Sequence, residues 1–222
     1  MGVVLLVRHG QASFGADDYD VLSETGWAQG RLLGAWLAER DVTPTAIVHG
    51  DMRRQRDTGL AMIEGAGWDV EVDVDPGWDE FDHVGMVAAY PDLPSGDLDR
   101  KAFQQVFERA TARWTGGEHD DDFPESYAAF GARVRAALDR ATAAAGPGGT
   151  VVVVSSGGPI AVSSAALVDP EADPPSVARL WQRFNTVIVN SSVSRVVVGS
   201  TGSRLLTFNE HPHLEADHLT YR

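Results

Sequence analysis

The chain reads as a single α/β domain, a three-layer α/β/α sandwich around a mostly parallel sheet. Three observations predict this. Residues 3–7 and 150–154 are uninterrupted runs of branched apolar side chains, the pattern of strands buried on both faces. Short apolar segments alternate with stretches of helical periodicity, giving the order strand, helix, strand, helix. At 222 residues the chain lies within the range of one large domain able to bury its own core, and neither a linker nor an internal repeat divides it.

Taken in order, the first apolar run stops at Arg8, His9 and Gly10. These residues therefore stand at a strand's carboxyl end, where open α/β sheets place their ligand crevice. Gly10 is expected to let the backbone turn sharply beside a bound group. Residues 17–23 are polar and turn-like. From Thr25, the residues Trp27, Leu32, Leu33, Trp36 and Leu37 fall mostly at helical spacing, predicting a helix to about Glu39 capped by Ser23 or Thr25. Pro44 precedes a short strand at 46–48 and a helix over 51–65, and residues 70–74 alternate with acidic residues as an edge strand does.

Residues 76–96 are irregular and hold the Trp78-Asp79-Glu80-Phe81-Asp82-His83 cluster, which predicts a loop-rich lid with one helical turn near 84–90. Helices are predicted over 100–114 and 126–145, separated by a solvated acidic run at 118–122. The lid-like insertion thus spans about residues 76–125 of a domain covering 1–222. After Gly146-Pro147-Gly148-Gly149 comes the second buried strand, then Ser155-Ser156-Gly157-Gly158-Pro159 and a helix over 160–167. A helix near 176–183 and strands near 186–192, 195–198 and 204–208 complete the chain. Connections there are too short for crossovers, so the sheet should end in an antiparallel portion.

Composition narrows the function. The formal charge of −14 repels nucleic acid and anionic lipid, so any phosphate site must be a local cluster of arginines. The absence of cysteine excludes disulfides, thiol catalysis and thiolate metal sites, and it fits a reducing compartment, with the cytoplasm as the expectation. Arg8 interrupts the first apolar run far short of the roughly 18 residues needed to span a bilayer, and no basic segment precedes that run. Neither nucleic acid nor a membrane is expected as a partner.

Three strand-to-loop junctions carry polar groups: Arg8 to Gly10, Gly50 to Arg56, and Ser155 to Gly158. Parallel strands bring such junctions to one sheet edge, where arginines, backbone N–H groups and a helix N-terminus together can bind a phosphoryl group. Helical geometry alone leaves Arg53, Arg54 and Arg56 open as the pocket arginine. Residues three apart share a face, so Arg53 and Arg56 point together and Arg54 elsewhere.

Arg8-His9-Gly10 resembles the Arg-His-Gly signature of the histidine phosphatase superfamily, the phosphoglycerate mutase-like proteins, whose histidine is phosphorylated during turnover. Gly50-Asp51-Met52-Arg53-Arg54-Gln55-Arg56-Asp57-Thr58-Gly59 resembles the family's Ser-Pro-Leu-x-Arg-Ala-x-Gln-Thr-Ala-like segment, departing at Gly50, Asp51 and Asp57. Leu22-Ser23-Glu24-Thr25-Gly26-Trp27-Ala28-Gln29 looks like its Leu-Thr-x-x-Gly-x-x-Gln segment, and Trp78-Asp79-Glu80 like the Leu-x-Glu segment that contributes the proton donor. Asn209-Glu210-His211-Pro212-His213-Leu214 is similar to the Asn-x-x-x-His-Leu ending of its phosphatase members, so the likeness runs from Val3 to about Leu214. The sharpest departure is Ser155-Ser156-Gly157-Gly158, where the family generally reads Ser-His-Gly-Gly.

The resemblance implies a phosphomonoesterase acting on a small phosphorylated metabolite, without metal or other cofactor, and a homodimer is compatible with it. His9 would be the nucleophile and Glu80 the general acid, with Asp79, Asp82 and His83 as competitors for the second role. Arg8, Arg54, Ser156 and Gly157 would bind phosphate, while Gln11, Ser13, Ser23 and His83 would line the substrate side. A phosphatase is favoured over a mutase because Glu80-Phe81-Asp82-His83 lacks the Glu-Arg-His-Tyr-like segment of a true phosphoglycerate mutase. Replacing the histidine's charge-assisted donor by Ser156 costs on the order of 3 kcal/mol at a transition state, about 100-fold in rate. Two other readings stand beside this one. The first is a weakened or inactive phosphate-ligand binding protein. The second is a serine hydrolase using Ser156 with Asp169 or Asp173 and His211, His213 or His218. Those three histidines are also the candidate metal ligands.

Overall fold

Alternating burial along the first strand explains the layered architecture. In the computed structural model, which describes residues 1–13, 20–94, 96 and 98–221, β1 (Gly2–Arg8), β2 (Ala46–His49), β3 (Val72–Val74), β4 (Thr150–Ser155), β5 (Val193–Gly199) and β6 (Gly202–Glu210) form one sheet of order β3-β2-β4-β1-β5-β6. The first four strands in that order run parallel, and β5 and β6 add an antiparallel edge. Leu5 and Val7 pack with Leu33, Leu37 and Met62 from α1 (Glu24–Ala38) and α2 (Arg53–Ala66). Val4 and Leu6 face the other way, into the cluster containing Phe130, Val134 and Ala137 of α5 (Tyr127–Ala145) and Ile160 and Ala161 of α6 (Gly157–Val168).

The remaining helices are α3 (His83–Ala88), α4 (Arg100–Gly116) and α7 (Pro174–Asn185). Most helix starts have the side-chain caps their sequences suggest: Ser23, Asp82, Asp99, Ser126 and Asp173 each accept a backbone N–H of the first turn. For α1 this selects Ser23 over Thr25. Residues 76–125 pack on the main core, since Trp78, Phe81, Met86, Trp114 and Phe123 all belong to the cluster under Val4 and Leu6. No helix among the described residues is long and apolar enough to cross a membrane.

One predicted strand is corrected. Residues 186–192 form an irregular segment, exposed at Thr186 and Val187 and buried from Ile188 on, not a strand. The β1–β5 ladder ends at the pair Val7 and Val193, and just beyond it the chain must satisfy the polar backbone of Arg8 and His9. Arg8 donates its N–H to the Ser192 carbonyl at 3.1 Å, and Ser191 donates to the Arg8 carbonyl at 3.0 Å. Ser191 does so from a left-handed conformation, φ 61°, which breaks strand geometry. The predicted turn at residues 17–23 lies in part outside the described residues, as does Asp97.

The register decides where the three junctions emerge. Val7 and His49 both pair with Val154, and Arg8 pairs with Ser155, so the chain leaves β1, β2 and β4 at one edge. Leu6 is fully buried beneath that edge. Leu6→Ala is expected to lower the unfolding free energy by about 3 kcal/mol in chemical denaturation while leaving the sheet intact.

Candidate active site

His9 is the first residue beyond β1, and its backbone is held from two sides. Its N–H donates to the Ser155 carbonyl at 2.8 Å, and its own carbonyl accepts from Asn190 Nδ2 at 3.2 Å. The imidazole is buried, with Nδ1 2.7 Å from the Gly10 carbonyl and Nε2 3.1 Å from Arg54 Nε. A carbonyl oxygen can only accept, so the proton sits on Nδ1 and the lone pair on Nε2. Burial, and then the charges of Arg54 and Arg8, hold the His9 pKa well below the usual histidine range. The result is a neutral imidazole whose unprotonated nitrogen faces a cation.

The loop after His9 rests on the start of α1, and glycines make that contact possible. A Cβ on Gly10 would lie 2.4 Å from the Gly26 carbonyl oxygen, and one on Gly26 would lie 2.2 Å from that of Gln11. Gly10 is not among the described residues of positive φ, so close approach requires the glycine, not the sharp turn expected of it. Gln29 receives the Gln11 N–H at 2.8 Å and, through its amide nitrogen, reaches the His218 carbonyl at 2.7 Å. Ser23 Oγ caps α1 and donates to Gln11 Oε1 at 2.9 Å, while the Ser13 N–H meets the Val21 carbonyl at 2.7 Å. Gln11, Ser13 and Ser23 therefore sit together beside the His9 loop.

Of the three arginines on α2, Arg54 is buried and reaches His9, whereas Arg53 and Arg56 are exposed. This is the division that three-residue spacing anticipates. Asp20, in the segment predicted as a polar turn, pairs with Arg54 Nη1 at 2.8 Å and accepts the Arg53 N–H at 2.8 Å. It thereby caps a helix whose own N-cap, Met52, offers no acceptor, and it also holds the guanidinium in place. Thr58 completes the support: its hydroxyl accepts the Gly10 N–H at 2.9 Å and donates to the Arg54 carbonyl at 2.7 Å. Arg8 donates through Nη1 to the Ile188 carbonyl and to the Tyr221 carbonyl, the latter at 3.1 Å, tying strand β1 to the chain's end.

Glu80 comes from the loop after Trp78. Its carboxyl accepts from the Gly158 N–H at 3.1 Å and the Phe81 N–H at 3.2 Å, and burial raises its pKa against the lowering effect of those bonds and of Arg54 and Arg8. The two arginines therefore act electrostatically on both His9 and Glu80. Arg133 pins this loop by donating through Nη1 to the carbonyls of Pro76, Gly77 and Asp79, each at 3.1 Å, while pairing with Glu125. Burial also raises the Asp79 pKa, but its Oδ1 is occupied by the Asp51 N–H at 2.6 Å. Asp82 caps α3. His83 opens α3 with its ring edge-on to Phe81 at 6.5 Å, and among the described residues no hydrogen bond joins it to His9, Arg54 or Glu80.

At the end of β4, Ser156 is buried and its Oγ accepts from Gln55 Nε2 at 2.9 Å. Gly157 opens α6, where a Cβ would lie 2.6 Å from Asn185 Oδ1. The geometry corrects the serine hydrolase reading. Among the described residues none of His211, His213 and His218 hydrogen-bonds Ser156: His211 Nδ1 meets the Asn209 carbonyl, His213 Nε2 lies by Ser191 Oγ, and His218 contributes a carbonyl to Gln29. Burial, with a smaller contribution from His211, lowers the His213 pKa to about 4. Nor, among the described residues, do three or more His, Asp or Glu side chains gather at metal-binding distance.

A strand-end histidine, a helix arginine and a buried carboxyl thus stand at one edge of a mostly parallel α/β sheet. Residues 4–211 match the histidine phosphatase superfamily (branch 1), and the chain belongs to it. A glucosyl-3-phosphoglycerate phosphatase from a mycobacterium superposes with a TM-score of 0.64 at 26% identity, covering 94% of this chain and 99% of that one. YhfR of Bacillus stearothermophilus gives 0.72 at 19% identity, with 96% and 99% covered. An Entamoeba histolytica phosphoserine phosphatase variant bound to phosphoserine gives 0.67 at 19%, with 97% and 100% covered. No curated protein sequence matches the chain.

The buried carboxyl yields a stability prediction with a definite sign. Because the folded-state pKa of Glu80 is raised, its contribution to stability is fully present below the unfolded carboxyl pKa, about 4.3, and is lost as pH rises through the folded value. Glu80→Gln removes that ionisation. The variant is expected to melt higher than the parent at neutral pH, with the difference vanishing in calorimetry below about pH 4.

Proposed function

We propose that the chain is a phosphomonoesterase that hydrolyses a small phosphorylated metabolite through a phosphohistidine on His9. The observation that carries this reading is the neutral His9 imidazole, its Nδ1 proton held by Gly10 and its Nε2 facing Arg54. Family membership supports it, as does the mycobacterial neighbour, itself a phosphatase of a phosphorylated sugar acid.

In the proposed mechanism, Nε2 attacks phosphorus in line with the ester oxygen. The P–O bond breaks as the N–P bond forms, and Arg54 turns from Nε2 to the equatorial oxygens, whose charge it offsets together with Arg8. Glu80, kept protonated by burial, gives its proton to the leaving alkoxide. The resulting carboxylate then takes a proton from water as that water attacks phosphorus, the N–P bond breaks, and inorganic phosphate leaves. Ser156 stands where the family's motif has histidine, so it and the Gly157 N–H are the donors assigned to the phosphoryl oxygens at this corner. Residues 76–125 supply Glu80 and the wall on the leaving-group side, with Trp78 and Phe81 serving as core beneath it. Gln11, Ser13, Ser23 and His83 remain the proposed substrate-side residues, and the arginines supply positive charge without a metal.

His9→Ala is expected to reduce turnover of phosphate esters by about four orders of magnitude, and brief incubation with ³²P-labelled substrate followed by alkaline quench should label the parent only. Tight ester binding by a parent protein that neither turns over nor labels would instead establish a phosphate-binding protein. Glu80→Gln should cost about 10²- to 10⁴-fold on an alkyl phosphate, but little on an aryl phosphate whose leaving group needs no proton. The kcat/KM profile should be bell-shaped, its acid limb set by protonation of His9 and its alkaline limb by ionisation of Glu80. That alkaline limb should be absent in Glu80→Gln.

A further inference from the structure

We infer that Gln55 is a positioning residue that turns the Ser156 hydroxyl into a hydrogen-bond donor for the phosphoryl group. This inference rests on the phosphatase reading above. Gln55 follows Arg54 on α2 and is fully buried, with Nε2 2.9 Å from Ser156 Oγ and 3.2 Å from the Trp78 carbonyl oxygen. A carbonyl oxygen only accepts, so the amide's nitrogen, not its oxygen, must face Trp78 and Ser156. Its hydrogens thereby serve these two oxygens, with Met52 Sδ a longer contact at 3.8 Å. Ser156 Oγ accepts from Gln55, which leaves its own hydrogen to point elsewhere.

The start of α6 keeps that hydroxyl uncommitted. Ser156 is the N-cap, yet its side chain makes no capping bond. An N-cap serine normally accepts from the second or third N–H of its helix. Here the second, that of Gly158, goes to Glu80 Oε2 at 3.1 Å, and the third position is Pro159, which has no N–H. The residues flanking Ser156 reach both proposed reacting groups: the Ser155 carbonyl accepts the His9 N–H, and the Gly158 N–H donates to Glu80.

The neighbouring departures from the family's motif fit the same arrangement. A Cβ on Gly50 would lie 2.1 Å from Gln55 Oε1 and 2.4 Å from Asp79 Oδ1, so a side chain at position 50 would displace the carboxamide from where it now stands. Gly50, beside Gln55, stands where the motif has serine, and Ser156 where it has histidine. These three positions form one packed unit in which glycine makes room for the amide and the amide holds the serine.

A double-mutant cycle tests this with p-nitrophenyl phosphate as substrate. Ser156→Ala and Gln55→Leu are each expected to lower kcat by about 10- to 100-fold with KM little changed, and the double variant should fall no further than the weaker single. Ser156→Thr, which keeps the hydroxyl, should stay within about threefold of the parent. Ser156→His should be poorly active alone and recover at least about tenfold when combined with Gln55→Ala. Additive losses in the cycle, full activity of Gln55→Leu beside a crippled Ser156→Ala, or Ser156→His equally active with and without Gln55→Ala would each overturn the proposal. If Gln55→Leu does not fold, Gln55→Met, which keeps the side-chain length and removes the donor, replaces it, and retained turnover there would count against the pair. If the parent itself turns over no phosphate ester, the phosphatase reading fails, and the cycle is read from inorganic phosphate affinity. Non-additive losses there support the pair and additive ones sink it.

Discussion

The site depends on one constraint, the parallel register of β1, β4 and β2 in a sheet buried on both faces. Val7, Val154 and His49 lie level, so three loops must leave the sheet at one edge, and a slip of one residue would turn every apolar side chain of β1 to the opposite layer. The packing of Leu5 and Val7 against one helical layer, and of Val4 and Leu6 against the other, is what forbids that slip. His9, Arg54 and Ser156 come to one edge because the core allows no other alignment. The loop after His9 then needs close backbone contact with α1, which explains why glycine stands at positions 10 and 26.

Burial acts with opposite chemical effect on the two proposed reacting groups. It favours the neutral form of both, lowering the pKa of His9 and raising that of Glu80. Arg54 and Arg8 reinforce the first effect and oppose the second. Each is held in place by acceptors: Arg54 by Asp20, Arg8 by main-chain carbonyls. The positive charge of the site is therefore arranged before any anion arrives, which is the condition for electrostatic stabilisation without reorganisation.

The supporting structure comes from parts of the chain with weak sequence signals. Residues 188–192 satisfy the backbone of Arg8 and His9 with Ser191 in a left-handed conformation, and residues 218–221 reach Gln29 and Arg8. Arg133, near the start of α5, fixes the loop that bears Glu80. None of these groups touches the proposed reacting atoms. Each removes a freedom that would let them drift.

By itself the sequence determined the α/β class, the parallel core, nearly every helix, and the candidates His9, Arg8 and Glu80, because long periodic apolar runs and a charged break at a strand end are local signals. Helical spacing also separated Arg54 from Arg53 and Arg56. Residues 186–192 misled it, since their apolar and β-branched composition suits a strand, while their hydrogen bonds are dictated by a distant strand end. Asp20, Asn190 and Arg133 were illegible for the same reason: each acts on a residue far away in sequence, and a lone polar side chain carries no periodic signature. Only the tertiary structure decided that Gly10 serves close approach and that Ser156 turns to Gln55, not to a histidine. Those outcomes depend on which atoms lie within about 3 Å of one another, and such distances are set by packing between elements, not by the order of residues within them.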